Sequence, residues 1–70
     1  MERTKVNSEK IRGVGYEPAN QVLEIEFSDG RVSQYSRVPP EVHRRLLAAP
    51  TIASYFRDNI EDEYTARRIR

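Results

Sequence analysis

Residues 23–39, LEIEFSDGRVSQYSRVP, decide how this chain folds. Leu23, Ile25 and Phe27 alternate with Glu24 and Glu26, a two-residue period that predicts a strand with one buried face and one wet face. Ser28-Asp29-Gly30 is turn chemistry, because Asp tolerates the tight bend and Gly supplies the positive φ that a hairpin needs. A two-residue Asp29-Gly30 loop would pair Ile25 with Gln34 and leave Tyr35 on the Glu24 face. A three-residue loop with Gly30 as the bulge residue pairs Phe27 with Arg31 and Leu23 with Tyr35. That register gathers Leu23, Ile25, Phe27, Ser33 and Tyr35 on one side, so the three-residue loop is the one expected. Val38-Pro39-Pro40 then ends the extended chain and starts a helix, where a proline in the first turn loses no hydrogen bond.

Working outward, residues 8–16, SEKIRGVGY, read as a strand weakened by Gly13 and Gly15, which suggest a bulge or a close backbone approach. Ile11 falls on the face opposite Val14 and Tyr16 unless a bulge intervenes. Glu17-Pro18-Ala19-Asn20 is a turn, with Pro18 pre-set for its second position. Connections this short make the strands an antiparallel meander. Beyond Pro40, Val42, Leu46 and Ala49 form one helical stripe; Arg44 lies opposite it, and His43 and Arg45 flank the stripe. Pro50 stops that helix and Thr51 is a candidate N-cap for a second, striped by Ile52, Tyr55, Phe56 and Ile60, with Tyr64 one turn on. Residues 61–70 have a weaker pattern that suits a continued helix, a separate turn or a frayed tail. The expected fold class is α+β, a three-stranded antiparallel β-meander followed by two helices packed on one face. Residues 1–7 are expected to be a flexible N-terminus, 8–64 the single domain and 65–70 a basic tail.

Seventy residues suffice for one domain with a small core. With 37% hydrophobic and 33% charged residues, nearly every large apolar side chain is needed for that core, and few remain to line a deep pocket. The chain has no cysteine, hence neither disulfides nor thiolate metal sites, which suits a reducing cytoplasm. No apolar run approaches the roughly 20 residues of a membrane span, and no apolar signal segment opens the chain. A soluble cytoplasmic protein without membrane partners is the expectation. Net charge is only +1, but its distribution is uneven. Residues 17–29 carry only acids, residues 31–57 carry five arginines against Glu41, and the end runs from Asp58, Glu61, Asp62 and Glu63 to Arg67, Arg68 and Arg70. Of the twelve basic residues ten are Arg, the side chain suited to bidentate contact with phosphate or carboxylate.

Ser8, Ile11, Tyr16, Leu23, Phe27 and Gly30, followed by Tyr35, Val38-Pro39, Ala49, Tyr55-Phe56, Ile60 and Tyr64, resemble the KTSC domain family across residues 6–66. The resemblance implies a module of this length, found at the C-terminus of some lysyl-tRNA synthetases and as stand-alone bacterial and phage proteins, with RNA binding as the suggested role. Two motif positions depart from it. Ser33 stands where the family's central Tyr-x-Tyr has its first aromatic, and Ala53 stands where a glycine precedes the second aromatic helix.

For catalysis the inventory is poor. His43 is the single histidine, and Glu41, two residues away on a helix, points elsewhere. Glu61-Asp62-Glu63 lacks the alternating spacing of a calcium loop, and Gly13-Val14-Gly15 lacks the third Gly and the Lys of a phosphate loop. No enzyme activity, metal or cofactor is therefore expected. The best candidate surface for nucleic acid joins Arg37 at the strand exit to Arg44 and Arg45 on the first helix, extended by Arg57, Arg67 and Arg68. Glu24 and Glu26 would repel phosphate from the outward sheet face, so RNA is expected on the helix side. The alternative class is a protein-binding adaptor or inhibitor, of bacterial or phage origin, whose exposed strand edges a partner strand extends; a monomer or weak homo-oligomer fits either class.

Overall fold

The computed structural model describes residues 3–6 and 8–70. Its strands are β1 (Arg3–Lys5), β2 (Ile11–Glu17), β3 (Val22–Phe27), β4 (Val32–Tyr35) and β5 (Ala66–Arg68). They form one antiparallel sheet in the order β1-β2-β3-β4-β5, with the helices α1 (Pro40–Ala48) and α2 (Ile52–Phe56) inserted between β4 and β5. Two helices and an antiparallel sheet match the expected α+β class, but the expected three strands are five. The added strands come from the polar segments assigned to the N-terminus and the basic tail. Each is three residues long and lacks an apolar pattern, so backbone pairing to a neighbour's edge holds it rather than a hydrophobic face. Met1, Glu2 and Asn7, part of the expected flexible N-terminus, lie outside the described residues.

The hairpin has the expected register. Leu23 faces Tyr35 and Ile25 faces Ser33, while the Phe27 amide donates to the Arg31 carbonyl at 2.8 Å. Gly30 has φ +96°, the left-handed region that a side chain adopts only under strain. The Asp29 carboxylate braces the loop by accepting from the Arg31 amide at 3.0 Å and from its Nε at 2.8 Å. In β2 the pairing steps from Ile11↔Phe27 to Gly13↔Glu26, leaving Arg12 as the extra residue of a bulge. That bulge is why Ile11 and Val14 are both buried on the helix side.

One core lies between the sheet and the helices: Ile11, Val14, Leu23, Ile25, Tyr35, Val38, Leu46, Phe56 and Ile60. Tyr35 and Phe56 meet edge to face at 5.4 Å, as do Phe27 and Phe56 at 5.7 Å. Phe27 itself is half-buried, a rim residue rather than the centre its place in the alternation suggests. Pro40 opens α1, and Ala49 is already extended before Pro50, as the residue ahead of a proline prefers. Leu46 is buried, with Val42 and Ala49 half-buried beside it, so the predicted stripe faces the core. The second helix departs from expectation in two ways. Thr51 occupies the N-cap position with no side-chain cap bond, and after Phe56 the helix widens into a π turn, Arg57–Glu61, before the chain returns to β5.

Candidate nucleic-acid interface

Arg37, Arg44, Arg45, Arg57, Arg67 and Arg68 are all exposed, yet they do not form one patch. Arg37 has φ +61°, a strained left-handed turn that carries the next residue, Val38, into the core and leaves Arg37 in solvent. On α1, Arg45 pairs with Glu41 at 2.5 Å, one helical turn earlier. Arg57 lies 3.5 Å from Asp58. Arg37 and Arg44 have no acidic partner within 4 Å among the described residues. Arg67 and Arg68, expected to extend the helix-side patch together, are split by the pleat of β5. Arg68 faces Ser33 and shares the helix side of the sheet; Arg67 faces Gln34 and belongs to the opposite side.

The outward sheet face also differs from the expected wet, acidic surface. Glu24 is only 4% exposed. Arg3 of β1 donates to it through Nε, and Gln34 of β4 donates to it at 3.1 Å. The arginine crosses β2 at its two glycines, and a Cβ added to Gly13 would stand 3.3 Å from Glu26 Oε1 and 3.6 Å from Arg3 Cβ. Desolvation is the largest single influence on Glu24 and pushes its pKa up, but the bonds from Arg3 and Gln34 and the attraction of Arg3 outweigh it. The carboxyl is held below the usual carboxylate range, and the Arg3 guanidinium is raised by the same bond. Three guanidinium groups surround Glu26: Arg3 at 3.3 Å, Arg12 at 3.7 Å and Arg70 at 3.8 Å.

His43, the single histidine, is half-buried and stacks on Tyr16 with ring centres 4.7 Å and planes 9° apart. The Tyr16 hydroxyl donates to the Val38 carbonyl, fixing the pair against the exit of β4. Desolvation lowers the His43 pKa and raises that of Tyr16, to which the charge of Glu17 adds. At the other end of the sheet, a cleft of about 580 Å³ separates the hairpin tip from α2. Phe27 and Phe56 line it, Arg31 sits 5.1 Å from the centre of the Phe27 ring, and the charged lining residues are of both signs. No group of three or more His, Asp or Glu among the described residues is placed to hold a metal ion. No helix among them is long and apolar enough to cross a membrane.

An antiparallel sheet with helices on one face and an ion network on the other defines a small α+β domain, and comparison with known proteins places it. The KTSC domain family profile matches residues 7–64, and the chain belongs to that family. The crystal structure of a KTSC domain protein from Yersinia pestis is similar, with a TM-score of 0.93 and 33% identity over 99% of this chain and 97% of that one. An uncharacterised protein of Stutzerimonas stutzeri is 43% identical over 56 residues, 80% of this chain and 79% of its own length. A lysine–tRNA ligase of a Nostoc species is 35% identical over 54 residues, which are 77% of this chain but 10% of the ligase.

Proposed function

We propose that this KTSC domain is a non-catalytic binding module of the cytoplasm that holds RNA through phosphate contacts on its helix side. Arg37 and Arg44 carry the contact, with Arg45 on the same helix as Arg44 and Arg68 on the helix side of β5 as further, separate contacts. The observation that carries the reading is that these two guanidiniums stand exposed with no acidic partner among the described residues, whereas Arg3, Arg31, Arg45 and Arg57 each have one. A module similar to a tenth of a lysine–tRNA ligase, and also found as a short independent chain, suits an accessory role beside an RNA-handling enzyme. The test is fluorescence anisotropy of a labelled, short structured RNA against rising protein concentration. Binding that weakens steeply with salt and is lost in Arg37→Glu with Arg44→Glu supports the reading. Absence of binding at low salt, or binding indifferent to these changes, removes it. The second reading, a protein-binding adaptor or inhibitor, is favoured by the short strands β1 and β5 at the two sheet edges, which a partner strand could extend.

A further inference from the structure

We infer that the open face of the sheet is a second RNA-contacting surface, one that reads phosphate and not base; this rests on the reading that the chain binds RNA. Helices cover one side of the sheet, and on the other the register sets two rows of residues across the strands. One row is Arg3, Gly15, Glu24, Gln34 and Arg67; the next contains Lys5, Gly13, Glu26 and Val32. Arg12, at the bulge, and Arg70 reach the same face through Glu26. What decides the sign seen by a partner is depth. Glu24 is buried under Arg3, the Glu26 side chain is 17% exposed, and Glu17 is committed to the amides of Ala19 and Asn20 in its own turn. The cations are outermost: Lys5 and Arg67 are exposed with no acidic partner among the described residues, and the Arg12 and Arg70 side chains are 57% and 66% exposed. An approaching polyanion therefore meets guanidinium and ammonium groups above carboxylates that are already neutralised.

The face carries no aromatic side chain in either row, so bases have nothing to stack on and the contact is made to the backbone. Binding through it is consequently independent of RNA sequence. β5 joins the two surfaces, since Arg67 lies on the open face and Arg68 on the helix side of one edge strand.

The experiment compares the full chain with Lys5→Glu/Arg67→Glu, Lys5→Gln/Arg67→Gln and Arg37→Glu/Arg44→Glu in anisotropy titrations at several salt concentrations, after circular dichroism has verified each fold. The glutamine pair keeps the test open should charge reversal disturb β1 or β5. Two lost phosphate contacts should reduce the slope of log affinity against log salt by about 2 in either open-face variant, equally for RNAs of different sequence and like structure. An unchanged affinity and slope in both open-face variants, while the unaltered chain binds and the helix-side variant does not, overturns this inference alone. No binding by the unaltered chain overturns it together with the RNA reading.

Discussion

Removing Arg3 tests how the sheet tolerates a buried carboxylate at its centre. In Arg3→Ala, Glu24, 4% exposed in the intact chain, keeps the hydrogen bond from Gln34 but loses its charged partner and part of its cover. Breaking a fully buried ion pair costs about 3 to 5 kcal/mol. The Arg3 side chain is 30% exposed, however, so water replaces part of the lost interaction, and a loss of about 1 to 3 kcal/mol is expected. For a domain of this size each kcal/mol corresponds to about 4 to 8 °C in the melting temperature. Urea unfolding gives the value directly, and the second arm of a double-mutant cycle gives its cause. Glu24→Gln in the Arg3→Ala background removes the orphaned charge and should restore part of the stability. The pH dependence carries a further signature. The Glu24 pKa is depressed in the fold, so its contribution is fully present above the ordinary Glu value of about 4.3 and is lost as pH falls through the folded value. Arg3→Ala should flatten that acid-side loss. A change below about 0.5 kcal/mol, the level of an ordinary surface substitution, would refute the buried-pair reasoning.

Gly13→Val should cost about 1 to 3 kcal/mol in urea unfolding, because even its Cβ presses on Glu26 at 3.3 Å and displaces the Arg3 crossing. Leu46→Ala, at a fully buried position, should cost about 2 to 5 kcal/mol, whereas Arg44→Glu with Arg45→Glu should leave the melting temperature nearly unchanged because both side chains are exposed. His43 is held below its ordinary pKa by burial, so the unfolded chain binds its proton first. Stability should fall as pH drops below about 6.5, and His43→Phe should remove that component in melts between pH 5 and 7.5.

Legibility in the sequence followed the strength of local chemistry. Asp29-Gly30 and the alternation from Leu23 to Phe27 are local signals that agree with the tertiary fold, so the hairpin register could be read in advance. The bulge at Arg12 was implied by the conflict between Ile11 and Val14, and the helical stripes by their spacing. β1 and β5 were not legible, because Arg-Thr-Lys and Ala-Arg-Arg carry no periodic apolar pattern and owe their form to the edges they pair with. Missing them misplaced Glu24. In a sheet of β2, β3 and β4 alone its side chain would be covered only by Gln34 and otherwise wet; β1 adds Arg3, which reaches across β2 and closes over it. The signal lay in Gly13-Val14-Gly15, whose missing side chains leave the path for Arg3. The arginine surface was legible only in composition: exposure could be anticipated for Arg37, Arg44 and Arg45, but the division of Arg67 from Arg68 needed the pleat of β5.

The most direct test of the binding account is an amide NMR titration of the labelled domain with a short structured RNA at low and raised salt. The account predicts shifts at Arg37, Arg44 and the open-face positions Lys5, Gln34 and Arg67, receding as salt rises. Unshifted amides at high RNA concentration in low salt would contradict it and direct attention to protein partners at the edges of the sheet.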